Sequence, residues 1–253
     1  MALFSRKDKH RGEQWNSKTM FGPNMSFAAT EAYKLLRTNL MFSFADKGRG
    51  HVVGITSAVQ EEGKSSSACN IAYALAEAGT KVLLLDGDLR RPTISSKLGI
   101  ARTPGLTNLL VSRWDYREVV QHCEAAPKLD VIASGDVPPN PSELLSSDRM
   151  VEVIEELTKV YNYIIMDLPP VTVVSDAAAV SRVLDGIVMV VRSGISDRKM
   201  LAEAMRQLEL VSVRVLGFVF RDSDNPGGKY GGKYHKKYRY KYYTDYSKRK
   251  ASK

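Results

Sequence analysis

Five short apolar runs, at residues 52–56, 82–85, 131–133, 163–166 and 187–191, constrain this chain most, and 215–220 reads as a sixth. Apolar residues at helical spacing fill residues 65–78, 148–161, 173–184 and 197–210 between them, and 27–44 before them. Strands that are apolar on both faces and alternate with helices specify a mostly parallel sheet covered on each side by helices, an α/β fold. In such sheets ligands bind at the carboxyl ends of the strands.

The chain of 253 residues is long enough for one substantial core. Residues 1–24 read as a flexible polar arm, 25–221 as the folded domain and 222–253 as a Tyr- and Lys-rich flexible tail. No run approaches the roughly 20 apolar residues that cross a bilayer, and residues 1–11 do not form a signal peptide. Cys69 and Cys123 give neither a disulfide framework nor metal-ligand spacing. The cytoplasm is the expected compartment. The net charge of +9 belongs to the tail: from Arg221 to Lys253 eleven Lys or Arg stand against three Asp, a net +8. No basic surface on the folded part is implied, and no nucleic-acid partner is expected.

Gly63-Lys64-Ser65 follows the first apolar run and opens the next helical stretch. Triphosphates need many donors aimed at one point, which a tight loop of backbone N–H groups at a helix N-terminus supplies. Lys64 would reach the β and γ phosphates, Ser65 would ligate Mg²⁺, and Gly63 would let backbone approach phosphate. Glu62 and Ser66 complete the candidate nucleotide-binding loop. The second and fourth runs end in acids, Asp86-Gly87-Asp88 and Asp167. Carboxylates leaving neighbouring strand ends can hold Mg²⁺ or accept a proton. The glycine-rich stretch 227–232 has no strand before it and no helix after it, which argues against a dinucleotide fingerprint.

The series TSAVQEEGKSSSACNIA, KVLLLDGDLRRP, SGDVPPNPSELL and YIIMDLPP, with EAYKLLRTNL near the N-terminus, resembles the bacterial tyrosine kinases of capsule and exopolysaccharide assembly. These are deviant-Walker P-loop proteins with a MinD-like fold. The resemblance implies ATP and Mg²⁺ as cofactors, Lys64 and Ser65 in Walker A, Asp86 and Asp88 in a second acidic motif and Asp167 in Walker B. Lys64, Asp86, Asp88 and Asp167 are the expected catalytic residues, Ser65, Asp88 and Asp167 the expected metal ligands. The implied acceptors are Tyr230, Tyr234, Tyr238, Tyr240, Tyr242, Tyr243 and Tyr246, seven of the chain's twelve tyrosines within 17 positions. A tail with no aliphatic partners cannot bury them, so packing does not account for their number.

The resemblance also implies a membrane adaptor of the polysaccharide co-polymerase type that activates the enzyme at the inner face of the membrane. It further implies an opposing tyrosine phosphatase and a homo-oligomer, such as a ring, made through Glu31, Lys34 and Arg37. Other protein substrates are left open. The chain departs from the family at Gln60 and Glu61, where Pro-Gly is usual, so Glu61 is expected in a conformation glycine takes easily. Glu61 and Glu62 set two acids beside a polyanion site, which costs affinity unless they point away. Arg221 stands where an adenine-contacting Asn is common, and could stack on a purine. Two rival readings are a MinD- or ParA-like regulatory ATPase, disfavoured by Val59 in place of that group's signature Lys, and a nucleotide-binding scaffold with a basic tail.

Overall fold

The computed structural model describes residue 22 and residues 25–44, 48–112, 114–124, 126–173 and 176–221. The remainder of the arm and the tail, including all seven clustered tyrosines, lie outside the described residues.

In chain order the elements are α1 (Phe27–Ser43), β1 (His51–Ser57), α2 (Lys64–Glu77), β2 (Val82–Asp86), α3 (Ile94–Leu98), α4 (Leu106–Ser112) and α5 (Tyr116–Val119). There follow β3 (Gln121–His122), β4 (Leu129–Ile132), α6 (Pro141–Ser146), α7 (Asp148–Thr158), β5 (Tyr163–Asp167), α8 (Asp176–Ala179), β6 (Gly186–Arg192), α9 (Arg198–Leu210) and β7 (Val215–Arg221). The sheet runs β3-β4-β2-β5-β1-β6-β7, and only the short edge strand β3 is antiparallel.

All six expected strands form, and the four central ones are buried almost throughout, as a sheet covered on both faces requires. One face packs Leu83, Leu85, Ile164, Met166 and Met189 against α4, α7 and α9. The other packs Val53, Ile55, Leu84, Ile165 and Val190 against α2 and the inner side of α1. No helix among the described residues is long and apolar enough to cross a membrane.

Three expectations shift. The strand foreseen at 131–133 begins earlier, because Val82, Leu83, Leu84 and Leu85 pair with Leu129 to Ile132. The helix foreseen at 148–161 ends at Thr158, and Tyr161 turns its hydroxyl to Asp130 on β4. The helix foreseen at 173–184 breaks into α8 and a 3₁₀ turn, Ser181–Val183. There Asp176 is drawn into the interior by Arg90, and that tertiary tie overrides the periodic pattern.

The helix α1 begins at Ser26, whose hydroxyl accepts from the Ala29 N–H. It lies along α2: Tyr33 Oη reaches Ser67 Oγ at 3.5 Å, and Arg37 donates to the Ala74 carbonyl at 3.0 Å. Ala74 belongs to the last turn of α2, whose carbonyls lack intrahelical donors, so Arg37 serves as a cap. Glu31 and Lys34 pair with each other at 3.0 Å and stay half-exposed. Of the three residues expected to mediate oligomerisation, two therefore face solvent as an internal pair and the third is engaged within its own subunit.

Candidate nucleotide and phosphoryl-transfer site

The register of the central strands builds the site. Asp86 and Asp167 end β2 and β5 as direct Cα partners, and β1 lies on the other side of β5, delivering the loop 58–63. Gly63, at φ 88°, makes the turn into α2. Its missing side chain is required: a Cβ there would come 1.5 Å from Arg221 Nη1. The first-turn N–H groups of α2 have no intrahelical acceptors and face the loop. Glu61 has φ 65°, the left-handed conformation foreseen where the family carries glycine.

Lys64, Asp86, Asp88 and Asp167 converge. Lys64 Nζ lies 2.7 Å from Asp88 Oδ2, 3.4 Å from Asp167 Oδ1 and 3.4 Å from Ser65 Oγ. Asp88 Oδ1 accepts from the Arg91 N–H and Asp86 Oδ2 from the Ile94 N–H, which fixes the orientation of both acids. Burial, reinforced by Asp167, drives the Asp86 carboxyl up to about 8. Burial also raises Asp167, against the pull of Lys64. Burial alone would lower Lys64, but Asp167 and Asp88 more than offset it and hold the ammonium charged.

Asp86 Oδ1 and Asp167 Oδ2 are buried and accept no hydrogen bond among the described residues. Orphaned carboxylate oxygens are costly, and a bound cation or hydroxyl would satisfy them. The described residues hold no group of three or more His, Cys, Asp or Glu able to bind a metal alone. Mg²⁺ is held by one or two carboxylates together with substrate phosphates and water, a donor set into which Asp167 fits.

Of the two acids, Glu61 is exposed and Glu62 is turned into the interior. Glu62 is fully buried and accepts from the Val59 N–H at 2.7 Å, from the Arg192 N–H at 3.4 Å and from the Ser196 hydroxyl. Burial raises its pKa, opposed only in part by the Val59 and Arg192 N–H bonds. Glu62 therefore anchors the loop to the end of β6 and is not itself aimed at phosphate. Basic side chains surround the loop instead. Arg91 bonds Gln60 at 2.8 Å, Arg192 the Glu61 carbonyl at 3.1 Å, Arg221 the Gly63 carbonyl at 3.4 Å, and Lys97 the Ser66 hydroxyl at 3.2 Å. Arg221 is thus placed on the phosphate loop. Replacing Glu62 by Ala should cost about 1–3 kcal/mol in urea unfolding, since it removes the acceptor of the Val59 N–H.

Sequence reasoning missed Asp176. It is fully buried, receives two bonds from Arg90 at 2.8 and 3.1 Å and one from Ser142, and so joins the loop after Asp88 to the N-termini of α6 and α8. The only signal in the sequence was Arg90-Arg91 directly after the acidic motif.

Known proteins share this fold and sequence pattern. A family profile described as an AAA domain matches residues 55–206. The chain is 37% identical over 211 residues to the tyrosine-protein kinase YwqD of Bacillus subtilis, covering 83% of this chain and 88% of that one. It resembles the kinase domain of the Escherichia coli tyrosine kinase ETK with TM-score 0.74 and 33% identity, covering 81% of this chain and 80% of that one. The septum site-determining protein MinD of Pyrococcus horikoshii shares the fold at TM-score 0.57 and 22% identity, covering 68% and 70%.

Proposed function

Since this chain belongs to the bacterial tyrosine-protein kinases of the capsule and exopolysaccharide type and is itself a protein-tyrosine kinase, we propose that it transfers the γ-phosphoryl group of ATP to its own C-terminal tyrosines, one subunit acting on another. The acceptors would be Tyr230, Tyr234, Tyr238, Tyr240, Tyr242, Tyr243 and Tyr246. The observation that carries this reading is the juxtaposition of a loop surrounded by five basic side chains with three buried strand-end acids. A polyanion fits the first, and a metal with a hydroxyl nucleophile fits the second.

Lys64 and the loop N–H groups hold the phosphates, while Ser65, Asp88 and Asp167 would hold Mg²⁺. Bound Mg²⁺ neutralises charge on the transferring phosphate. A tyrosine Oη attacks the γ-phosphorus, the bond to the bridging oxygen breaks, and ADP leaves. Asp86 is the candidate to receive the phenolic proton: a carboxylate tuned near 8 suits a base working around neutral pH. Arg221 is suited to lie between the loop and the base of the nucleotide.

A membrane adaptor would supply activation and bring the enzyme to the inner face of the membrane. Each modified tyrosine adds roughly −1.5 to −2 charge to residues 221–253, which carry a net +8. That reverses the sign of this segment after a few transfers and loosens any oligomer held by it, until a phosphatase resets it. Mixing wild-type chain with an inactive Lys64→Met chain, Mg-ATP and the adaptor's cytoplasmic segment tests transfer between subunits. Phosphotyrosine should appear on the Lys64→Met chain. Its confinement to wild-type chains would show that each subunit modifies only itself.

A further inference from the structure

Lys97 lies outside every motif that identified the site, yet its ammonium reaches the phosphate loop. It sits on the short helix α3, whose first N–H (Ile94) is bonded to Asp86, so α3 is positioned by the acidic motif itself. From there Lys97 Nζ donates to Ser66 Oγ at 3.2 Å. Ser66 is the residue after Ser65 in the first turn of α2. Lys64 is engaged with Asp88 and Asp167.

We propose that Lys97 is a second phosphate-binding cation of this site, holding the α/β end of a nucleoside di- or triphosphate from the Ser66 side while Lys64 serves the γ end. This deepens the nucleotide reading above and rests on it. Loop N–H groups of this type cradle the α and β phosphates, and the loop lysine reaches β and γ. A cation tied to the next hydroxyl along the helix is therefore directed at the end Lys64 leaves uncovered. The electrostatics agree. Burial depresses the basicity of Lys97, and Arg221 and Lys64 add to the depression, against the opposing pull of Asp167. Three cations gathered at one loop repel one another, and an arriving polyanion relieves that repulsion.

The test measures dissociation constants for Mg-ADP and Mg-ATP on the full chain and on Lys97→Met and Lys97→Arg, with melting temperatures taken without nucleotide. Charge-assisted contacts to phosphate predict about tenfold weaker binding of both nucleotides by Lys97→Met. Lys97→Arg should bind within about threefold of wild type, because a guanidinium also pairs with phosphate. If the Met variant does not fold, Lys97→Gln, uncharged but still a donor to Ser66, takes its place with the same expectation. Undiminished binding by the uncharged variant overturns the proposal. So does a loss confined to ATP, which would move Lys97 to the γ-phosphate, and so does an Arg variant as weak as Met with an equally lowered melting temperature, which would mean packing. A wild-type chain that binds neither nucleotide overturns the phosphate-site reading and Lys97's role with it.

Discussion

Lys64→Met is expected to lower phosphotyrosine formation about a thousandfold at saturating Mg-ATP, in the presence of the adaptor's cytoplasmic segment. Removing one preorganised donor from a phosphoryl- or acyl-transfer site costs 10²–10³ in typical cases, and Lys64 also organises Asp88 and Asp167. The same substitution should destabilise the protein without nucleotide by about 3 kcal/mol, because it leaves two buried carboxylates without their cation. The two losses separate in a double mutant. Adding Asp88→Asn to Lys64→Met removes one uncompensated charge, so stability should partly recover while activity stays lost. Activity within a few-fold of wild type in the single variant would remove Lys64 from the mechanism. Recovery of activity along with stability would mean that the loss had been one of folding.

Asp86→Asn should move stability and activity in opposite directions. In wild type a buried carboxyl sits beside Asp167 with one oxygen unbonded. Its folded pKa of about 8 lies above its ordinary value, so the unfolded chain gives up the proton first as pH rises. Stability is therefore fully present below about pH 4 and is lost progressively as pH rises towards 8. Asparagine cannot ionise and escapes that loss. In EDTA without nucleotide, Asp86→Asn should melt above wild type, by a margin that widens from pH 4 to pH 8 and then levels off. Its transfer rate should fall about 10²–10⁴-fold, the usual contribution of a positioned base. A variant that melts lower across the range would contradict the burial argument. One that transfers phosphate at the wild-type rate would hand the proton to another group.

The sheet was legible because its strands are buried on both faces and leave unbroken apolar runs, and the three acids were legible because they end two of those runs. The small elements α3 to α6 were not, since helices of four to seven residues carry too few turns to show a period. Long-range ties were equally hidden. The partners of Glu62 lie 130 and 134 residues away, so the chain alone suggested an acid crowding phosphate where the fold has an anchor turned from it. Asp176 resembles an ordinary acid in the first turn of a helix until Arg90, 86 residues earlier, is brought against it. At Glu61 local reasoning succeeded, because a left-handed conformation is set by the turn itself. Lys97 came from the structure only, as its place depends on how α3 docks against α2.

Mass spectrometry of residues 222–253, from protein isolated from its native cells, tests the central claim most directly. Phosphate on several of the seven clustered tyrosines is predicted, and it should vanish when Lys64→Met replaces the native chain. Unmodified tyrosines in the wild type, or modification that persists in the Lys64→Met strain, would contradict it.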